Sequence, residues 1–319
     1  MGLLQKGRWV DQWYDTQSSD GEFRRQDSGF RNWVTPDGTA GSTGSSGFKA
    51  EPGRYHLYVS LACPWAHRAL IFRQLKDLQD LIDVTVVEPL MLSNGWEIKS
   101  EQYHLDYLYQ LYLKADPNYE GRVTVPVLWD QQTLSIVSNE SADIIRMFNS
   151  AFNGLTGNDY DYYPLELRAQ IDAINEQVYD SINNGVYRAG FATSQQAYEA
   201  AYYQLFDALD RVEQFLTRER YLAGDVLTEA DWRLFTTLIR FDAVYYGHFK
   251  TNRQRIADYP AISNYLRELY QWPGVAQTVN FAHIKQHYYA SHVTINPTQV
   301  VPLGPQLDFM LPHNRGQLD

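Results

Sequence analysis

Alternation of hydrophobic and polar positions predicts an α/β domain over residues 51–160. The stretch "RYHLYVSL" has the period-two pattern of a strand, and "IDVTVVEPL" is rich in β-branched residues, which also favour strands. Between them, apolar residues at helical spacing run from Pro64 to Leu78. These patterns predict a strand, a helix and a second strand.

The same patterns continue to the end of this predicted domain. An insert with a helix in "HLDYLYQLYLK" precedes two short strands, "TVPVLW" and "LSIV", and "NESADIIRMF" opens another helix. The predicted element order is therefore β-α-β-α-β-β-α, which is typical of a mixed α/β fold.

From about Pro164 the periodicity is helical throughout. It predicts helices near residues 165–185, 196–218, 229–245 and 259–271. In "LTEADW", Thr228 and Asp231 have the spacing of a capping box, and Leu227 can pack against Trp232. The tail from Val293 contains four prolines and is expected to wrap the surface.

These changes of pattern divide the chain into four predicted parts. They are an N-terminal extension at 1–50, an α/β domain at 51–160, an all-helical domain at 161–292 and a C-terminal tail at 293–319. The extension contains "DGTAGSTGSSG", Asp37 to Gly47, and its Gly and Ser content favours a flexible linker. A mobile flap beside a site is the alternative.

Composition narrows the class of function. The 319 residues carry 27 basic and 38 acidic side chains, a net charge of −11, with no Lys/Arg-rich run. Neither a nucleic-acid surface nor a polybasic membrane patch is expected from this balance. A single cysteine excludes an internal disulfide framework, and the sequence shows neither a secretory signal nor a run of transmembrane length. We expect a soluble, cytoplasmic protein.

That single cysteine, Cys63, lies in "SLACPWAHRAL", after a strand and before Pro64 in the first helical turn. A helix N-terminus stabilises a thiolate, and such cysteines have pKa values lowered from about 8.5 to as low as ~3.5. A buried structural role is the commoner fate of an isolated cysteine, but this placement favours a nucleophile. Without a second cysteine, a disulfide at Cys63 requires an external thiol, and glutathione is the abundant candidate.

Two further motifs admit a structural and a functional interpretation. Pro126 in "TVPV" indicates either an edge strand or a cis Val125–Pro126 bond that presents the Val125 backbone to a peptide ligand. Glu140 and Ser141 lie at the start of a predicted helix. The structural interpretation is that they cap the helix, and the functional one is that they bind the γ-glutamyl end of a ligand.

Nearby histidines and an arginine are interpreted as structural. His67 and Arg68 could add positive charge near the thiolate, or face away from it. His283 and His287 have the i, i+4 spacing of zinc ligands but no evident third ligand, so we predict that no metal is bound.

Together these residues resemble the glutathione transferase fold, a thioredoxin-like domain followed by an all-helical domain. "VPVL" and the "ES" helix start resemble its glutathione site, and "YLAGDVLTEADWRLF" resembles a helix of its second domain. A narrower resemblance, to the glutathionyl-hydroquinone reductases or Xi class, covers nearly the whole chain. It is carried by "LACPWAHR", "PDGTAGSTGSSGFKAEPGRYHLY", "NNGVYRAGFA", "RFDAVYYGHFKTN" and "HIKQHYYASH". Because the Gly/Ser stretch is part of this pattern, the resemblance favours a flap near the site.

The resemblance implies an activity, a co-substrate and a set of site residues. The family reduces glutathionyl-hydroquinones, consuming one glutathione and releasing free hydroquinone and glutathione disulfide, and a homodimer is expected. Cys63 matches the nucleophile. The positions that match glutathione contacts are Trp96, Arg122, Val125, Glu140 and Ser141, and those that match the tyrosines of the hydroquinone site are Tyr187, Tyr245 and Tyr288.

The implied reaction requires a proton donor. When a thiolate attacks the glutathione sulfur of the thioether, the aryl carbon leaves with negative charge unless the ring takes a keto form or is protonated. A phenol can supply the proton, and we predict Tyr187 as the donor with Tyr245 and Tyr288 as supporting hydrogen-bond donors.

Other functions remain open from the sequence. A general glutathione-dependent thiol transferase or dehydroascorbate reductase would use Cys63 without the tyrosines. A non-catalytic binding module would not need an activated thiol. A transferase that conjugates glutathione is disfavoured, since a cysteine tends to form a disulfide with glutathione.

Overall fold

The computed structural model describes residues 2–100 and 102–318, and the chain divides into two compact units. The first consists of Met1–Trp13, Gln26–Asp161 and Thr278–His287, and the second of Tyr14–Arg25, Tyr162–Gln277 and Tyr288–Asp319. The residues predicted as an N-terminal extension, 1–50, are thus shared between the two units rather than forming one of their own.

The described strands lie in the first unit. They are β1 (Leu3–Gln5), β2 (Arg8–Val10), β3 (Trp33–Thr35), β4 (Gly47–Lys49), β5 (Tyr55–Val59), β6 (Ile82–Val86), β7 (Met91–Leu92), β8 (Gly95–Ser100), β9 (Leu105–Tyr107), β10 (Gly121–Arg122), β11 (Val127–Asp130) and β12 (Ser135–Ser138). The helices of this unit are α1 (Pro64–Leu75), α2 (Leu108–Ala115), α3 (Ser141–Ser150) and α4 (Asn153–Thr156).

The central sheet has the strand order β12-β11-β5-β6. Strand β5 pairs in parallel with β6 and antiparallel with β11, and β11 pairs antiparallel with β12. The inner strand β11 is buried along its whole length, and Trp129 is fully buried within it. The predicted order β-α-β-α-β-β-α is confirmed by β5-α1-β6-α2-β11-β12-α3.

The predicted helix in the insert begins later than expected. Its first residues form β9, and α2 starts only at Leu108. The side-chain oxygen of Gln110 accepts hydrogen bonds from the backbone N–H groups of Asp106 and Tyr107, at 2.8 and 2.9 Å. These bonds set the start of α2, because a side chain rather than a preceding helical turn satisfies those N–H groups.

The second unit is helical. Its helices are α5 (Arg168–Val178), α6 (Gly185–Phe191), α7 (Gln195–Leu216), α8 (Glu229–Arg240), α9 (Tyr246–His248) and α10 (Pro260–Tyr270), and the last helix, α11 (Phe281–Ser291), has residues in both units. A mixed sheet followed by a helical region is the fold class that the sequence predicts. The capping box of α8 is present, with the Asp231 carboxylate accepting from the Thr228 N–H at 2.9 Å.

Two predicted helices are interrupted by wider π turns, at Tyr179–Asn183 and Phe241–Tyr245. The Asn183 side chain donates to the Arg233 carbonyl and the Thr237 hydroxyl, at 3.1 and 2.8 Å. The Asp242 carboxylate accepts from the backbone N–H of Ile256 at 2.6 Å. These bonds to other segments accompany both interruptions, and such turns often occur at functional sites.

The Gly/Ser stretch 37–47 is a hydrogen-bonded loop within the first unit, so it does not link the two units to each other. It joins β3 to β4, which pair in parallel. The Thr43 hydroxyl accepts from the Trp33 indole N–H at 2.5 Å and donates to the Arg31 carbonyl at 2.8 Å. Both bonds hold the loop against β3 and the residues just before it.

The C-terminal tail is anchored by a buried arginine. The Arg315 side chain is 2% exposed and donates to the carbonyl of Leu216, the last residue of α7, and to those of Glu219 and Arg220 in the turn that follows. The last carbonyls of a helix have no partner within it, so the bond to Leu216 caps α7.

Candidate active site

Cys63 lies at the N-terminal end of α1, as the sequence predicts. Its backbone is extended, with φ −77° and ψ 122°, and Pro64 is the first helical residue. The thiol is partly exposed, and its Sγ lies 3.6 Å from the Val125 carbonyl oxygen. The positive end of the helix dipole therefore lies at a cysteine that solvent can reach.

The bond between Val125 and Pro126 is cis. Pro126 precedes β11, an inner strand that pairs on both sides. The alternative interpretation of "TVPV" as an edge strand is therefore wrong. Since the Val125 carbonyl is next to the Cys63 thiol, Val125 and Cys63 form one surface of the site.

Glu140 and Ser141 begin α3, as predicted. Glu140 is the N-cap, and its Oε1 accepts from the Ala142 N–H at 3.0 Å. The Asn139 amide connects this turn to the segment before Val125, because it donates to the Thr124 hydroxyl at 3.4 Å and to the Tyr112 hydroxyl at 3.1 Å. A helix N-terminus with a carboxylate and a hydroxyl suits a ligand that carries both an anion and an ammonium group.

Arg68, which is interpreted from the sequence as structural, contacts the turn at Glu140 and Ser141. The residue is 2% exposed, and its guanidinium donates to the Ser141 hydroxyl at 3.4 Å. It also lies 4.6 Å from the ring centroid of Trp65. A buried cation at the start of α3 adds to the positive potential of the helix N-terminus. His67 contacts the Thr278 hydroxyl at 2.7 Å, which fits a structural role.

Trp96 and Arg122 also lie in the first unit. Trp96 is in the β7–β8 hairpin and stacks on His287, with ring centroids 4.8 Å apart. His287 Nδ1 is 3.0 Å from the Pro89 carbonyl oxygen. The Arg122 guanidinium donates to the Trp13 carbonyl at 2.9 Å and to the Gln12 carbonyl. Their roles in glutathione binding stay predictions.

In the second unit, the three tyrosines are brought together by their hydroxyl groups. The Tyr288 hydroxyl is 2.5 Å from that of Tyr187 and 2.9 Å from that of Tyr245. Tyr245 is 0%, Tyr288 2% and Tyr187 8% exposed. Burial, together with the two neighbouring phenols, raises the pKa of Tyr288 well above its ordinary value, so this phenol stays protonated.

The π turns position two of these tyrosines. Tyr245 is the last residue of one π turn, and Tyr187 is in α6, which follows the other. The Tyr187 ring packs edge-on against Tyr245 and Phe249, with centroids 6.0 and 5.6 Å apart. Aromatic packing and the hydroxyl chain together fix the three phenols.

Sequence reasoning missed Arg25. Its guanidinium lies 4.9 Å from the Tyr187 ring centroid, and its Nε donates to the Asn184 side-chain oxygen at 2.9 Å. Nothing in "FRRQ" distinguishes Arg25 from Arg24, which is exposed. Only the fold of this segment on the helical unit identifies it.

The described residues hold neither a helix suited to span a membrane nor a group of side chains suited to bind a metal ion. Among helices in the described ranges, none is both long and apolar enough to cross a membrane. Residues 2–100 and 102–318 contain no group of three or more His, Cys, Asp or Glu side chains that could hold a metal ion. The absence of a metal stays a prediction.

Comparison with known proteins places this site in a family. Residues 62–151 match the N-terminal domain of glutathione S-transferase, and residues 195–268 match its C-terminal domain. Glutathionyl-hydroquinone reductase YqjG of Escherichia coli is 57% identical, with 99% of this chain and 98% of that protein covered. Glutathionyl-hydroquinone reductase PcpF of Sphingobium chlorophenolicum is 52% identical, with 96% of each covered.

Solved structures agree. The glutathione-bound structure of the Escherichia coli protein has a TM-score of 0.88 and 56% identity, covering 93% of this chain and 98% of that one. A Xi class transferase from Natrialba magadii has a TM-score of 0.92 and 46% identity, covering 100% of this chain and 98% of that one. The chain therefore belongs to the glutathione transferases, in the Xi class of glutathionyl-hydroquinone reductases.

Proposed function

We propose that this protein is an enzyme that reduces glutathionyl-hydroquinones to hydroquinones, with glutathione as co-substrate. The observation that carries the proposal is its likeness to two named reductases over nearly the whole chain, at 57% and 52% identity. The geometry of each unit supplies groups that suit the chemistry.

The first step forms a disulfide. The Cys63 thiolate attacks the glutathione sulfur of the substrate thioether, and the bond between that sulfur and the aryl carbon breaks. The electron pair of that bond stays with the carbon, so the ring is reduced while the two sulfur atoms are oxidised to a Cys63–glutathione disulfide. The position of Cys63 at the α1 N-terminus supports this role, because the helix dipole stabilises a thiolate.

The aryl carbon needs a proton, and we assign its donation to Tyr187. Three hydroxyl groups in a chain can be ordered so that Tyr245 donates to Tyr288 and Tyr288 donates to Tyr187. In this order Tyr187 gives its own proton to the ring, and the Tyr288 hydroxyl stabilises the phenolate that is left. Tyr187 is the most exposed of the three, which supports its choice as the donor.

A second glutathione completes the cycle. Its thiolate attacks the glutathione sulfur of the mixed disulfide, which releases glutathione disulfide and restores the Cys63 thiolate. The proton that this glutathione loses when its thiolate forms balances the one that Tyr187 gave to the ring. We assign glutathione binding to Val125, Glu140 and Ser141, with Trp96 and Arg122 as further contacts. The helix N-terminus and the Glu140 carboxylate supply groups for the two ends of a γ-glutamyl zwitterion.

We further propose that the protein is a cytoplasmic homodimer. The support is the resemblance to its family and the single cysteine, which suits a reducing compartment. Light scattering coupled to size-exclusion chromatography tests the dimer, and a mass of about one chain contradicts it.

Intact-protein mass spectrometry tests the reaction. After mixing with a glutathionyl-hydroquinone, we expect one glutathionyl group on Cys63, free hydroquinone in solution, and loss of the adduct when glutathione is added. The Cys63→Ser variant is the matched control and should form neither product. An adduct from glutathione disulfide but none from the thioether would indicate a general thiol transferase instead. No adduct from either would contradict Cys63 as the nucleophile.

A further inference from the structure

A segment near the N-terminus, residues 28–32, extends the central sheet at the edge of β12. Arg31 forms an antiparallel bridge with Ser138, and the Asn139 N–H donates to the Phe30 carbonyl at 3.2 Å. The Asn32 N–H donates to the Val137 carbonyl at 3.0 Å. We name residues 28–32 the clasp. It pairs with the chain where β12 leads into the Glu140–Ser141 turn.

The clasp also holds the Glu140 side chain. The Ser28 hydroxyl donates to Glu140 Oε2 at 2.9 Å, while Glu140 Oε1 accepts from the Ala142 N–H at 3.0 Å. Each carboxylate oxygen therefore accepts a hydrogen bond from its own donor. An ionised carboxylate has about four lone-pair sites, so it keeps capacity to accept from a ligand ammonium group.

A second contact fixes the first turn of α3. The Arg31 guanidinium forms a two-pronged ion pair with Asp143, in which Nη2 and Oδ1 are 3.0 Å apart and Nε donates to Oδ2. The hydrogen bond to Asp143 raises the pKa of Arg31, which keeps it charged. Because the Asp143 side chain is 9% exposed, this pair is partly shielded from solvent.

The clasp lies outside the residues that match the N-terminal domain of glutathione S-transferase. That match begins at residue 62, whereas the clasp ends at residue 32. The contacts with Glu140 and Asp143 therefore come from a part of the chain that the match does not include. Glu140 is a flexible side chain that would otherwise have to be ordered when a ligand binds.

We propose that the clasp is part of the glutathione site, and that Ser28 is a positioning residue that preorganises the Glu140 carboxylate for the ammonium group of glutathione. Arg31 supports the same turn through Asp143. The inference rests on the proposed glutathione site and not on the reductase chemistry, so it can be tested by glutathione binding alone.

The test is calorimetric titration of the full chain with reduced glutathione. Hydrogen bonds to charged groups are the strong ones, so Ser28→Ala should weaken binding about tenfold. Ser28→Thr keeps the hydroxyl and should bind within about twofold of the unchanged protein. Ser45→Ala is the matched control, since Ser45 is exposed and bonds Asn32 through its backbone N–H, which the substitution retains.

A double-mutant cycle separates positioning from direct contact. In a Glu140→Ala background, Ser28→Ala should have no further effect on glutathione binding, because Ser28 acts through Glu140. In steady-state assays the loss should appear in the KM for glutathione rather than in kcat. Unchanged binding by Ser28→Ala would overturn the proposal, and so would an equal loss in the presence and absence of Glu140.

Discussion

At the scale of single residues, the chemistry assigned to Tyr187 makes a direct prediction. Tyr187→Phe keeps the aromatic ring and removes only the hydroxyl that contacts Tyr288. General acid catalysis contributes about 10²–10⁴-fold, so turnover of a glutathionyl-hydroquinone should fall by about two orders of magnitude or more. Formation of the Cys63 disulfide from glutathione disulfide should persist, because that reaction protonates no carbon.

Steady-state turnover and mass spectrometry of the same variant measure these two effects separately. Tyr203→Phe is the matched control, since Tyr203 is 65% exposed, and its turnover should be unchanged. If Tyr187→Phe turned over as fast as the unchanged protein, the proton donor would have to be another group, while Cys63 would keep its role.

Residues differ in how well the sequence identifies them. Cys63 can be recognised locally, because a cysteine, a proline and a helix start are adjacent in the sequence. The tyrosines cannot, because the hydroxyl chain joins positions 101 and 43 residues apart, and among 24 tyrosines only the family resemblance selected them. Arg25 and Ser28 escaped notice because each acquires a partner only through a distant segment.

At the scale of elements, the start of α8 depends on one buried capping box. The Thr228 N–H and hydroxyl donate to Asp231 Oδ2 at 2.9 and 3.2 Å, and Asp231 Oδ1 also accepts from the Tyr265 hydroxyl at 2.8 Å. Since both Thr228 and Asp231 are fully buried, water cannot replace a lost cap bond.

Thr228→Ala should therefore lower the free energy of unfolding by about 1–2 kcal/mol. Denaturant titration followed by circular dichroism measures the change. Thr217→Ala, at the exposed end of α7, is the control and should change it by less than about 0.5 kcal/mol. Equal effects of the two substitutions would show that the buried capping box adds no more to the free energy of unfolding than an exposed threonine does.

The helices and strands that the sequence predicts correctly are those marked by residues close together in the chain. Capping residues and hydrophobic periodicity gave α1, α3 and α8 and the four strands of the central sheet. The π turns at Tyr179–Asn183 and Phe241–Tyr245 were not predicted, since the bonds that accompany them, from Asn183 and to Asp242, involve residues about 50 and 14 positions away. A periodic pattern does not reveal such partners.

At the scale of the whole molecule, stability should depend on pH through His248. Burial lowers the pKa of His248 to about 4, and the charge of Lys250 adds to the effect. Its Nε2 lies 3.1 Å from Nδ1 of His292, and its ring packs on Phe249 and Tyr289. The folded protein therefore holds this imidazole neutral.

The sign of the effect follows from proton linkage. An unfolded chain binds a proton at His248 near pH 6.5, whereas the folded chain binds it only near pH 4, so protons favour unfolding between these values. The stabilisation from neutral His248 is present above pH 6.5 and is lost as the pH falls towards 4. Over this whole pH range the free energy of unfolding falls by roughly 3 kcal/mol, since each pH unit between the two pKa values contributes about 1.4 kcal/mol.

Urea unfolding at pH 7 and pH 5 tests this linkage. The unchanged protein should lose roughly 2 kcal/mol more than His248→Gln between these two pH values, because the glutamine does not titrate. His104→Asn is the control: His104 is exposed, and its backbone φ of 52° is one that asparagine adopts readily, so this variant should follow the unchanged protein. An identical pH dependence in His248→Gln and the unchanged protein would mean that His248 is protonated as easily in the fold as in the unfolded chain, and that other groups govern stability in acid.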